Sequence, residues 1–205
     1  VPKRVDHTQR RAHIADALVR VAARDGLHAV TLRAVAAEAG MSLNLVQYYF
    51  DTKAELLHAA LLRLERLSHE RWAERLADLD DPDSARACLE AFVDEALPAD
   101  EARHTFRLVW MSYAVLAMTD PELAAQPFVA GPDRLERQLA GILTTAQSAG
   151  EIASDLDPDA EAARLLSLSH GVGTSVLVGQ RTPEQARDVL RYHLTRLFRA
   201  APARP

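Results

Sequence analysis

Cysteine is almost missing from this chain. Cys88 is the only one among 205 residues, so no disulfide forms within the chain and no cysteine-based zinc site is available. That usage fits a reducing cytoplasm, the expected location. Long apolar runs are missing as well, and none approaches the roughly 20 residues that a membrane-spanning helix needs. The opening segment VPKRVDHTQRR is charged and has no apolar core after it, so no secretory signal is read there. No segment alternates with period two for long enough to make a convincing strand. Catalytic signatures are equally scarce. There is no Gly-x-Ser-x-Gly elbow. GVGTSV at 171–176 lacks a third glycine and a preceding strand, which excludes a dinucleotide loop. The eight histidines do not cluster at ligand spacing, and Glu65 with His69 reads as a solvated pair on one helical face. No cofactor, metal or catalytic residue is expected, and the chain does not read as an enzyme.

What is present is helix-forming. Hydrophobic residues make up 48% and charged residues 26%, an ordinary globular balance. Ala, Leu, Arg and Glu dominate, and the chain reads as all-α. The expected helices run from about Thr8 to Asp25, stopped by Gly26; LRAVAAEA, ended by Gly40; LNLVQYY; and Thr52 to about Leu79. Others follow near 84–97, 101–118, 121–149 with an interruption at Gly131, 158–178 and 183–199. That makes about nine. Thr31 and Ser42 stand where helix caps belong, and Thr52 with Glu55 has the spacing of a capping box.

Charge is unevenly spread. Residues 1–53 hold 8 Lys/Arg and 5 Asp/Glu, a net of +3. The remainder holds 16 and 24, a net of −8, and together these make the −5 of the whole chain. A basic head on an acidic body suggests that only the head meets a polyanion.

The second and third helices, joined by GMS, have a helix-turn-helix layout, in which the second helix lies in the DNA major groove. Val35, Ala36, Ala39, Val46 and Phe50 read as the inward face. Leu43, Asn44, Gln47 and Tyr48 read as the outward one. Seven residues are too few for a helix stable on its own, so the apolar face must anchor it. The exposed groups suit DNA: Asn and Gln pair with adenine, tyrosine hydroxyls donate to phosphate, and leucine touches a thymine methyl. Lys53, at a helix N-terminus, suits a phosphate oxygen.

TLRAVAAEAGMSLNLVQYYFDTKAELL resembles the DNA-binding domain of the tetracycline-repressor (TetR) family of bacterial transcription regulators, over roughly residues 8–60. The aromatic run before Phe50, then Lys53 and a leucine pair, is its most specific part. The resemblance implies an N-terminal three-helix head, residues 1–53, and a ligand-binding and dimerisation domain, residues 54–205. It implies phosphate contacts from Thr31, Tyr49 and Lys53, a base contact from Arg33, and a recognition face of Gln47 and Tyr48 with Leu45 at its edge. Asn44 joins that face. Many family members carry tyrosine in place of Gln47 and a small residue in place of Asn44, so the operator is not inherited from a relative.

The body offers two further readings. The last two helices are expected to make a homodimer, as the family's equivalent pair does. Ala186, Leu190, His193 and Leu197 recur there at helical spacing, with Val189, Leu194 and Phe198 alongside. The middle helices are rich in aromatic and thioether side chains, which suit an apolar site with a few polar anchors. Its candidate ligand-binding residues are Trp72, Phe92, His104, Phe106, Trp110, Met111, Tyr113, Met118, Phe128 and His170, with Ser112 as another anchor. The expected function is a regulator, most simply a repressor, that binds a palindromic double-stranded DNA operator and is released by a small, largely apolar effector. The alternatives are a DNA-binding regulator without an effector, and a helical enzyme or carrier that does not bind DNA.

Overall fold

Helices begin in this protein where a side chain can cap them. The computed structural model describes residues 2–199, with side chains from 7 to 198. Among the described residues there are ten α-helices and no strand. They are α1 (Pro2–Asp25), α2 (Leu32–Glu38), α3 (Leu43–Tyr49), α4 (Lys53–Ala77), α5 (Ala85–Ala96), α6 (Glu101–Ala117), α7 (Pro121–Ala124), α8 (Ala130–Ala149), α9 (Pro158–Leu177) and α10 (Pro183–Arg199). Thr31 and Ser42 cap α2 and α3 by accepting from the amides of Ala34 and Leu45. At α10, Thr182 and Gln185 exchange amide bonds through their side chains, a complete capping box. The box at Thr52 is shifted. Thr52 accepts from the Glu55 amide, but Glu55 reaches back to the amide of Asp51.

Gly26 ends α1, though not as a left-handed helical cap. Its φ of 82° and ψ of 159° lie in an extended region that is essentially glycine-only. A single 3₁₀ turn, Leu27–Ala29, follows.

The region expected as one interrupted helix over 121–149 is two separate helices, which raises the count from nine to ten. The break falls before Gly131. Asp120 caps α7 at the amides of Glu122 and Leu123, Leu123 is buried, and Pro127 then lacks the amide needed to continue. The Gly131-Pro132 pair does not interrupt anything. It lies in the first turn of α8, where proline's missing N–H has no intrahelical partner to lose.

The chain forms two compact units. One comprises the chain up to Leu67 with Thr105–Phe128; the other comprises Ser68–His104 and the chain from Val129 onward. The first unit has a core of Ile14, Leu18 and Val21 from α1, Val35 from α2, Val46 from α3, Phe50, Leu56, Leu57 and Leu61 from α4, and Val109 and Tyr113 from α6. Each such side chain, fully buried, stabilises the fold by about 1.5–3 kcal/mol. Asp16 accepts from Arg63 at 3.0 Å and ties α1 to α4.

In the second unit Leu89, Phe92 and Val93 of α5 pack with Leu139 and Leu143 of α8, Leu165 of α9, and Leu190 and Leu194 of α10. Glu95 of α5 is buried. It takes hydrogen bonds from Ser68 and Arg71 of α4 at 2.9 and 3.0 Å, with Arg75 3.6 Å away. Its neighbour Asp94 pairs with Arg187 of α10 at 2.6 Å. The stripe Ala186, Leu190, His193 and Leu197, with Leu194, is buried within this same unit. Those residues close the monomer's own core. Among the described residues of the last two helices, the large hydrophobic side chains that remain exposed are Val189 and Tyr192, with Val178 just beyond α9.

Candidate nucleic-acid interface

The turn between α2 and α3 is set by the backbone. After Ala39, Gly40 takes φ 64°, and the amides of Gly40 and Met41 return to the carbonyls of Ala37 and Ala36. This is a Schellman closure, which glycine adopts without steric cost. Ser42 then opens α3. Val46 and Phe50, one turn apart, are both fully buried, and that apolar side anchors a helix of only seven residues.

The opposite side faces water. Asn44 and Gln47 are exposed, Leu45 lies at the margin of exposure, and Tyr48 is 71% exposed. A tyrosine so open on a short anchored helix leaves its hydroxyl without a role inside the first unit's core. Thr31 and Arg33 are exposed on α2. The Thr31 oxygen already accepts the Ala34 amide, which leaves its hydroxyl hydrogen available to a phosphate. Lys53 is exposed as the first residue of α4, beside the unsatisfied amides of that turn. Tyr49 differs from Tyr48. It is half-buried against the first core, with its ring 5.3 Å from that of Tyr48 at a near-perpendicular angle.

Two α1 residues complete this surface, and neither was anticipated. Arg11 donates to the Tyr49 carbonyl oxygen and to Glu55 at 2.8 Å, and its guanidinium lies 4.1 Å from the centre of the Phe50 ring. One side chain thus joins α1, the end of α3 and the start of α4. Burial alone would raise the Glu55 carboxyl. The hydrogen bonds from Arg11 and the Asp51 amide, with the charge of Arg11, hold it below the usual range. The second residue is His7, whose ring sits 4.8 Å from Tyr49 and 6.5 Å from Tyr48. The only sequence hint of either was the basic character of the N-terminal stretch. Neither residue shows a spacing that announces its partner some 40 positions away.

The ten candidate ligand residues divide between the two units. Phe106, Trp110, Tyr113 and Phe128 pack in the first, where Tyr113 is fully buried, 5.2 Å from Phe128. The Tyr113 hydroxyl donates to the Leu123 carbonyl at 3.3 Å. Burial, followed by the charge of Asp120, pushes this phenol up to about 12. Met111 is half-buried, and Met118 is 79% exposed on the surface. Trp72 and Phe92 are buried in the second unit with rings 5.7 Å apart; His104 is exposed and His170 half-buried there.

Two buried polar residues of the first unit were missed, and a third, Glu65, expected to be solvated beside His69, is buried as well. His58 packs 6.5 Å from Tyr113, and its Nδ1 has no hydrogen-bond partner among the described residues; burial pushes this imidazole down. Arg107 is buried in α6, and burial lowers it to about 10. Helical spacing marks both positions as inward but cannot say that a polar side chain is buried there.

Comparison with known proteins follows the same lines. Residues 14–60 match the family described as bacterial regulatory proteins, tetR family, and residues 85–199 match the BetI-type transcriptional repressor, C-terminal region. The HTH-type transcriptional regulator PksA of Bacillus subtilis (strain 168) is 27% identical over 180 residues, which is 87% of this chain and 83% of PksA. A crystal structure of a TetR-family regulator from Rhodococcus sp. superposes with a TM-score of 0.82 at 25% identity, covering 93% of this chain and 99% of that one. A transcriptional regulator from Saccharomonospora viridis, solved in complex with choline, gives 0.79 at 28% identity, covering 92% and 96%.

Proposed function

Because this chain belongs to the TetR family of bacterial regulatory proteins and carries a BetI-type C-terminal region, we propose that it is a repressor that grips a palindromic operator as a homodimer and releases it when a small effector binds. The family is one of transcriptional regulators. The observation that carries the reading is the division of α3: Val46 and Phe50 locked in the core, Asn44, Gln47 and Tyr48 offered to solvent. Residues 1–53 serve DNA in this reading, and 54–205 serve ligand binding and dimerisation. Repression by occupancy needs only tight binding over a promoter, and a two-fold dimer gains by reading two half-sites about one helical turn apart or a multiple of it. Val189 and Tyr192 on α10, with Val178, are large apolar groups left for a partner copy.

Selection from a pool of random duplexes tests the reading. An inverted repeat whose enrichment falls steeply with salt supports it. Uniform weak retention, or none, argues for a helical protein that does not act on DNA. With the selected duplex in hand, Lys53→Ala is expected to weaken binding equally across operator variants and to flatten the salt dependence by about one unit per half-site. A change in base preference alone would remove Lys53 from the phosphate contacts.

The effector we expect is small and largely apolar. It would act by binding the non-DNA form of the dimer better, and it can shift that equilibrium by no more than its difference in affinity. The choline complex of the Saccharomonospora viridis relative makes quaternary ammonium compounds the first to test. Their methyl surface is apolar and their charge favours aromatic faces; Phe106, Trp110 and Phe128 supply such faces in the first unit, and Trp72 and Phe92 supply them separately in the second. Release of the selected duplex by choline or a neutral analogue supports an effector site. Binding unaffected by either series supports a regulator that works without one.

A further inference from the structure

We propose that His7 is part of the DNA interface and makes DNA binding tighten as pH falls. The inference rests on the DNA-binding reading above and adds a residue that precedes the family match at residues 14–60.

His7 is exposed on α1, and among the described residues its partners are two rings of the reading helix. Tyr49 lies 4.8 Å away, and Tyr48 lies 6.5 Å away edge-on. The three rings form one continuous patch, since Tyr48 and Tyr49 are themselves 5.3 Å apart. Tyr48 is 71% exposed on the α3 reading face, so an imidazole packed near it is carried to the same DNA surface.

The charged groups near His7 are of both signs. Its own helix adds Arg10 and Arg11, and Arg11 is committed to the Tyr49 carbonyl and to Glu55. From α3 the facing groups are the two phenols. Beyond them, Asp51 lies in the turn, and α4 supplies Lys53 and Glu55, the latter held by Arg11. Histidine is the side chain whose charge ordinarily changes between pH 5 and 8. A phosphate set beside an imidazole favours its charged form. Binding DNA then takes up a proton at His7. The extra affinity is present at low pH and disappears as pH rises through the imidazole range.

Salt dependence reads this directly, because a charge that neutralises a phosphate releases a counterion. With the duplex recovered by selection, the slope of log K against log salt is expected to be steeper at about pH 5.5 than at about pH 8, by about 0.9 per half-site or about 1.8 for a two-fold dimer. His7→Gln should erase that difference, and His7→Lys should give the steep slope at both pH values. An exposed side chain is not needed for folding, so thermal melts of both variants should match the parent. If the parent and His7→Gln share one pH dependence, His7 is outside the interface. Should no duplex be retained at either pH, DNA binding itself is refuted, and this inference falls with it.

Discussion

Phe50→Ala is expected to unfold the DNA-reading head under conditions in which the unsubstituted chain stays folded. Phe50 is fully buried in the first core and forms the cap residue of α3. Arg11 stacks over its ring while bonding the Tyr49 carbonyl and Glu55. Truncating a buried phenylalanine costs about 3–5 kcal/mol through lost burial and the cavity left behind. A whole domain is commonly stable by only 5–15 kcal/mol. The loss therefore takes a large share of the stability available. Its second consequence is functional: α3 has seven residues and no independent stability, so without Phe50 only Val46 and the Ser42 cap are left to hold Asn44, Gln47 and Tyr48 in register. Hydrogen exchange should show lost protection across α2 and α3, and urea unfolding should give the size. A loss below about 1 kcal/mol would mean that Phe50 is not the anchor.

Tyr48→Ala is expected to weaken binding to the selected duplex by about 30- to 160-fold while the dimer and the melting temperature stay unchanged. The side chain is 71% exposed, so its removal opens no cavity. A hydrogen bond of ordinary strength contributes about 1–1.5 kcal/mol, and a two-fold complex loses it twice, about 2–3 kcal/mol. Equilibrium binding by anisotropy, with sedimentation as the control for the dimer, measures both. Affinity equal to that of the parent would take Tyr48 out of the interface and leave α3 as an unread surface helix.

These two residues stand two positions apart in the chain, yet they divide cleanly between inside and outside, and their spacing already says so. Val46 and Phe50 share a face because a helix returns after about 3.6 residues. Gln47 and Tyr48 then fall on the other side. Thr31, Ser42 and Gly40 mark the ends of α2 and α3 because capping and positive φ are properties of single residues and their immediate neighbours. The head was legible for that reason.

Elsewhere the pattern named a face without naming what covers it. Ala186, Leu190, His193 and Leu197 form a correct apolar stripe, which the monomer's own α5, α8 and α9 can bury as readily as a second copy could. The aromatic residues around α6 were grouped by their nearness along the chain. The fold puts Phe106, Trp110, Tyr113 and Phe128 in one core, Trp72 and Phe92 in another, and Met118 in water. The break at Pro127 was misplaced to Gly131 because a proline stops a helix or begins one according to which turn it occupies.

Composition, local caps and helical period were enough to establish an all-helical chain with a basic reading head and an anchored third helix, because each of those signals acts within a few residues. Pairings over long separations needed the folded chain. Arg11 meets Tyr49 and Glu55, His7 meets the two tyrosines, and Glu95 gathers Ser68, Arg71 and Arg75. Such contacts follow from how whole helices pack. No residue's own chemistry records which distant surface will be brought against it.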